Sequence, residues 1–274
     1  MATRKLRRRP VRAPRACILT IAGSDSGGGA GLQADLRTIH ALGGFGLTAV
    51  TAVTAQNGLG VAAWRPVAPG LIGRQISAAL EGFPVAAAKT GLLPGASAVR
   101  EVARSWRGGP RPPLVVDPVL GSTSGTRFAT PGGLRALKRE LLPLAALVTP
   151  NWPEAAALAG RPVRSEADAA EAARSLAAEC GCAVLVKGGH GRGRLVRDCL
   201  AIPAGGVRWF SGPRVRTLNT RGTGCVLSAA IALELGRGRA LEAAVRAARR
   251  FLAGSLRRGR RARWAPGAGP AFAG

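Results

Sequence analysis

No stretch of this 274-residue chain approaches the ~20 consecutive apolar residues of a membrane-spanning helix, although 47% of it is hydrophobic. That excludes a transmembrane helix and leaves ample material for a buried core. Histidine is nearly absent, with two residues at positions 40 and 190, and the five cysteines stand scattered at 17, 180, 182, 199 and 225. No Cys/His set has zinc spacing, and Cys180-Gly-Cys182 is too tight for a metal knuckle. An odd, dispersed set of thiols excludes a disulfide scaffold and predicts free thiols in a reducing cytoplasm. Acidic residues are scarce too, 14 against 40 basic ones, for a net charge of +26. Only four of the basic residues are lysine. Seven lie in the first fifteen positions and eight between Arg246 and Arg263. Such a split, in a chain rich in Arg, Ala, Gly and Pro, reads as compositional bias. Charge alone supplies only salt-sensitive, sequence-independent attraction, so no specific nucleic-acid role is expected. No apolar core follows the basic residues 1–15, which excludes a secretory signal. An Arg-rich transit peptide and a disordered arm both fit that segment, and the arm is the plainer expectation.

What is present is alternation. Apolar runs at 17–23, 47–53, 85–91, 114–120, 146–151 and 183–189 read as strands. Between them, 30–43, 69–83, 95–106, 131–142, 153–159 and 166–180 read as helices. Leu32, Leu36, Ile39 and Leu42 recur at three- and four-residue spacing, one apolar stripe. Segment 194–210 reads as a β excursion, and helices 223–236 and 240–258 close the series. The order predicts one α/β domain with a mostly parallel sheet covered on both faces. Neither an internal repeat nor a linker interrupts it. In such sheets, functional residues gather past the carboxyl ends of strands. The unusual residues of this chain stand there: Gly23-Ser24-Asp25, Gln56-Asn57, Lys89-Thr90-Gly91, Asp117-Pro118, Asn151 and Lys187-Gly188-Gly189.

The turn Gly222-Thr223-Gly224-Cys225 opens a helix. Its glycines let backbone N–H groups approach an anion, with the helix dipole behind them. The same field lowers a thiol pKa, so Cys225 is expected to be partly thiolate near neutral pH and able to accept a proton. The alternative is a tight helix start with Cys as a small core residue. The second Gly-rich stretch, "AGSDSGGGAGLQAD" (22–35), lacks both the dinucleotide fingerprint and the Walker A Gly-Lys-Ser/Thr. Asp35, inside the helix it opens, reads as dipole compensation or as a ligand for a polar substrate edge. Asn151 and Glu154 have the spacing of a capping box, and equally of oxygen ligands for hydrated Mg²⁺. Asp117 at a strand end calls for a cation or a donor. Lys187 beside two glycines suits a polyphosphate, with salt-bridging as the alternative.

Taken together, "TIAGSDSGGGAGLQADLRTIHALGGFGLTAVTAVTAQN", "KTGLL", "VVDPV", "LVTPNWPEAAALAG", "LVKGGH" and "NTRGTGCVLSAAIA" resemble the ribokinase-like superfamily. More closely, they resemble its hydroxymethylpyrimidine/phosphomethylpyrimidine kinases of thiamine biosynthesis. The resemblance covers about residues 16–258. It implies a three-layer αβα sandwich over 16–260, followed by a tail at 261–274. It also implies ATP-dependent phosphorylation of a hydroxymethyl pyrimidine and of its monophosphate, with Mg²⁺, and a homodimer. By residue, it implies that Asp35, Gln56 and Gly23 hold the pyrimidine while Leu92 and Val119 border its ring. Gly222, Thr223 and Gly224 would form the anion hole and Cys225 the base. Asp117, Asn151, Glu154, Lys187 and Thr223 would serve the nucleotide, Asp117 and Glu154 organising the metal.

Three positions depart from that pattern: Arg221 where His is usual, Val226 where Thr is usual, and Leu92 where Met is common. Residues 191–206 lack the acidic character the family leads one to expect. An added cation at Arg221 is expected to strengthen phosphate binding or to alter the pKa of the base. Pyridoxal, another flat heteroaromatic with a hydroxymethyl group, is the alternative substrate. A basic binding protein with no activity is the alternative of another class; the intact Asp35, Lys187 and Gly-Thr-Gly-Cys argue against it.

Overall fold

Strand β1 (Cys17–Asp25) carries Ile18, Leu19, Ile21 and Ala22 without exposed surface. A strand covered on both faces reads as a continuous apolar run, as this one does. Its neighbours β2 (Phe45–Gln56) and β4 (Val85–Thr90) both run parallel to it. The parallel series continues through β5 (Leu114–Val116), β6 (Leu147–Val148) and β7 (Ala183–Val186). Antiparallel strands finish both edges. One is β3 (Val61–Pro66) on β2; the other is the hairpin of β8 (Leu195–Ala201) and β9 (Val207–Pro213) beyond β7. The sheet order is β3-β2-β1-β4-β5-β6-β7-β8-β9. The computed structural model describes residues 15–107, 111–121, 125–126, 128–203, 205–263 and 267–271. The basic segment 1–14 lies outside them.

Two apolar clusters separate the helical layers. One holds α2 (Pro69–Gly82), α3 (Gly95–Trp106), α4 (Pro131–Ala136), α5 (Trp152–Ala159) and α6 (Glu166–Cys180). The other holds α1 (Gly31–Ala41), α7 (Thr223–Gly236) and α8 (Leu241–Arg258). Helix α7 is apolar all round and is buried over most of its length, as a helix lying between α1, α8 and the sheet must be. The expected αβα sandwich is what forms. The predicted helix 131–142 is shorter: α4 ends at Ala136, and the chain continues as a π turn to Leu141 and a 3₁₀ turn holding Pro143. A proline there supplies no N–H to prolong an α-helix. Edge strand β3 lies outside the predicted strands, since the two alanines and the closing proline of "VAAWRP" weaken its strand signal.

Part of the expected tail is built into the fold. The Arg221 N–H donates to the Gly269 carbonyl at 3.1 Å, and the Ala271 N–H to the Arg221 carbonyl at 2.8 Å. Ala271 is buried against Val226 and α8. A valine at 226 therefore serves as an apolar seat for this segment.

Candidate active site

Residues past the carboxyl ends of β1, β2, β4, β5 and β7 converge on one cavity of about 520 Å³. Gly222, Thr223, Gly224 and Cys225 line it. Gly222 is the N-cap of α7, with φ 76° and no side-chain cap. A Cβ there would lie 2.1 Å from the Gly29 carbonyl oxygen, so only glycine lets the turn seat against the Gly-rich loop. The N–H groups of the first turn lack partners inside the helix and carry the positive end of its dipole. A Cβ on Gly224 would stand 3.1 Å from Lys187 Nζ and 3.4 Å from Asp117 Oδ2, so these charges lie directly against the turn.

Cys225 is half-buried and is the only one of the five thiols that is not buried. Burial pushes its thiol up to about 11, while Lys89 pulls the other way and the Gly31 N–H donates to the sulfur. The expected partial thiolate at neutral pH is therefore corrected. The helix start and Lys89 do favour the anion, but removal from water outweighs them.

The charged side of the cavity is centred on Lys187. Its ammonium donates to Asp117 Oδ1 at 2.6 Å and stands 3.8 Å from Glu154 Oε2. Thr149 also donates to Asp117, at 3.2 Å. Asn151 and Glu154 form the capping box of α5: Asn151 Oδ1 accepts the Glu154 N–H at 2.9 Å, and Glu154 Oε2 accepts the Asn151 N–H at 2.7 Å. Capping and lining the cavity thus coexist in the same residues. Burial pushes the Glu154 carboxyl up to about 7, helped by Asp117 and opposed by Lys187. No group of three or more His, Cys, Asp or Glu side chains clusters as a metal cage among the described residues. Two carboxylates on a cavity wall, each with one oxygen already committed, suit a cation that keeps most of its shell as water and phosphate. The donor set fits hydrated Mg²⁺.

The other side is apolar. Leu92, Val119 and Phe128 line it, with Trp64 edge-on to Phe128 at 5.6 Å between ring centres. Gln56 presents its amide here, its Oε1 accepting from Thr54 at 3.3 Å. Gly23 also lines the cavity; a Cβ on it would come within 2.9 Å of Leu92 Cδ2, so its absence lets Leu92 lie across the end of β1. Asp35 is not brought to this wall. It is sealed from solvent, accepts from Thr20, and is bonded by Lys89 Nζ at 2.8 and 3.1 Å. Burial alone would lower the Lys89 ammonium, but Asp35, and beyond it Cys225 and Asp117, hold it above its usual range. The expected substrate contact at Asp35 is thus replaced by a buried ion pair, whose cation reaches the cavity wall.

The sequence reading assigns Asp25 no role, gives Arg221 a different one, and does not single out Phe128 or Arg214. Asp25 accepts the Gly27 and Ala30 N–H groups, the Asx geometry that the Ser-Asp-Ser-Gly-Gly string could have signalled. Arg221 Nη2 binds both Asp25 oxygens at 2.7 Å. Both bonds commit the Arg221 guanidinium to Asp25. Arg214 binds the carbonyls of Gly189, Gly191 and Gly193, holding the loop after Lys187. That loop leads into the β8–β9 hairpin, which forms where a β excursion is expected at 194–210.

A family model described as phosphomethylpyrimidine kinase matches residues 25–271. The chain is 43% identical over 257 residues to a hydroxymethylpyrimidine/phosphomethylpyrimidine kinase of Rhizobium meliloti, covering 93% of this chain and 96% of that protein. It is 41% identical over 246 residues to a thiamine biosynthesis bifunctional protein of Geobacter sulfurreducens. There it spans 89% of its own length but only about half, 50%, of that relative. Among solved structures, the pyridoxal kinase of Staphylococcus aureus in complex with ADP superposes with a TM-score of 0.85 at 29% identity, covering 94% of this chain and 93% of that one.

Proposed function

Because the chain belongs to the phosphomethylpyrimidine kinase family, we propose that it transfers the γ-phosphoryl group of ATP to 4-amino-5-hydroxymethyl-2-methylpyrimidine, and then to the monophosphate so formed. The observation that carries this reading is the shared cavity, which sets an apolar wall with one amide against an anion turn and a lysine–carboxylate cluster. In this reading, Leu92, Val119 and Phe128 enclose the ring and Gln56 takes its donor–acceptor edge. The substrate hydroxyl oxygen forms the new bond to γ-phosphorus while the bond to the ADP oxygen breaks. The amides of Gly222 to Cys225 stabilise the charge on the transferring oxygens, the larger share of catalysis in phosphoryl transfer. Cys225 accepts the hydroxyl proton, having first released its own, for a contribution of about 10²–10⁴. Lys187 and Thr223 contact the polyphosphate. Asp117 and Glu154 hold Mg²⁺, which when bound neutralises phosphate charge, and Asn151 keeps Glu154 in place through the cap.

A homodimer joined through a sheet edge, a cytoplasmic location and a single kinase domain that takes in the packed segment 267–271 belong to the same reading. No helix among the described residues is long and apolar enough to cross a membrane. The likeness to pyridoxal kinases keeps pyridoxal as the second substrate to test. A coupled ADP-release assay with Mg-ATP, comparing the hydroxymethylpyrimidine, its monophosphate and pyridoxal at matched concentrations, decides the matter. Preference for the two pyrimidines is expected. Preference for pyridoxal overturns the substrate assignment, and turnover of none of them overturns the enzymatic one.

A further inference from the structure

Arg221 bonds in two directions from one buried position, with 6% of its surface exposed. Its guanidinium grips Asp25, whose Oδ1 also accepts the Gly27 N–H at 2.9 Å and whose Oδ2 accepts the Ala30 N–H at 2.8 Å. Gly29 lies on the stem of the same side chain: a Cβ there would come within 3.3 Å of Arg221 Cδ. The Gly-rich loop and the anion turn are therefore one packed unit, with Arg221 as the bridge. The Arg221 backbone faces the other way and pairs with Gly269 and Ala271. That segment also reaches the loop after Gln56, where the Ala268 N–H donates to the Gly58 carbonyl at 3.2 Å. Ala271 seats on Val226, in the first turn of α7, and on Leu252 and Leu256 of α8. One short segment thus braces both the anion turn and the substrate-side loop.

We infer that Arg221 and the segment Gly267–Ala271 are positioning elements for the transfer step: they hold the amides of the anion turn in register with the Gly-rich loop. The inference rests on the kinase reading above. Amides aimed at the transferring phosphoryl group matter most in the transition state, so their displacement slows chemistry more than it weakens binding. The wall of Leu92, Val119 and Phe128, and Lys187, which carry ground-state binding, make none of these contacts.

The test compares Arg221→Met, Arg221→Lys, Gly269→Ala and a chain ending at Arg263 with the unaltered protein. A Cβ at Gly269 would lie 1.9 Å from Asn219 Oδ1, so that substitution displaces the segment without removing it. Expected is a fall in kcat of roughly 10–100-fold with KM for either substrate changed by less than about threefold, the signature of a misaligned transition-state contact. Arg221→Lys, which keeps a cation within reach of Asp25, recovers part of the loss. Alkylation of Cys225 by iodoacetamide, followed by mass spectrometry at one pH, reads the turn without any turnover. Its rate rises severalfold in Arg221→Met, Gly269→Ala and the shortened chain. Unchanged kcat and alkylation, or a rise in KM at constant kcat, overturns the inference. If Arg221→Met and the shortened chain fail to fold, Gly269→Ala decides alone. If the unaltered protein phosphorylates none of the substrates, the kinase reading fails, and the alkylation rates still show whether the segment holds the turn.

Discussion

Replacing Gly222 by alanine tests the anion turn at its tightest point. At φ 76° an L-residue sits in the left-handed region, at a cost of about 1–2 kcal/mol. The new Cβ also meets the Gly29 carbonyl oxygen at 2.1 Å, with Ala30 Cα behind it at 3.2 Å. Both obstacles are backbone, so no rotamer change relieves them. Reaching an ordinary carbon–oxygen separation of about 3.3 Å moves the turn by roughly an ångström. Forced displacement in a packed region adds about 1–3 kcal/mol, for a total of roughly 2–5 kcal/mol. A misplacement of that size at the reacting groups costs about 10² in rate. Gly238→Ala supplies the control, because Gly238 has φ 78° with nothing within 4 Å of the added Cβ. It pays the conformational term alone, about 1–2 kcal/mol, and keeps its turnover. Thermal unfolding and steady-state kinetics on both variants read the two effects separately. If Gly222→Ala retains kcat within twofold, or Gly238→Ala loses as much, the turn does not act as described.

Three further outcomes follow from the same geometry. With the Cys225 thiol pushed up to about 11, its anion forms only in alkali, so kcat/KM is expected to climb from pH 7 through pH 9 without levelling; a plateau near pH 7 removes Cys225 as the base. Glu154, raised from 4.5 to about 7, binds more protons folded than unfolded between those values. The metal-free protein should therefore lose stability as pH rises through that window, by up to about 3 kcal/mol. Urea unfolding in EDTA at pH 5 and pH 8 should show this loss, and Glu154→Gln should abolish it; equal slopes in the two proteins contradict the burial argument. Lys89→Met strands the Asp35 carboxylate in the interior and should cost about 3–5 kcal/mol in chemical denaturation. The paired change Lys89→Met with Asp35→Leu recovers most of it, and a single variant as stable as the pair argues against a buried ion pair.

Much of this molecule was legible before its structure. Apolar runs such as Cys17–Ala22 and Ala183–Val186 have to be buried on both faces, and the amphipathic stripe of Leu32 and Ile39 has to face a core. That alternation sufficed for the parallel sheet and its two helical layers. The strand-end rule gathered Gly23, Gln56, Asp117, Asn151 and Lys187 on one cavity. Local chemistry also stated the α5 capping box in full, because a cap involves only residues three apart.

Only the tertiary structure decided what depends on partners far along the chain. Asp35 left the candidate substrate wall because Lys89, 54 positions away, neutralises it in the interior. Arg221 pairs with Asp25, 196 positions away, although in sequence it stands only four residues before the thiol. Cys225 shows the division most plainly. Its place at a helix start, visible in the sequence, favours a thiolate, whereas the burial that raises it to about 11 comes from elements packed around it. Helix fields act within a turn of the residue that carries them, so sequence reveals them; desolvation depends on everything that excludes water, and only the assembled fold contains that.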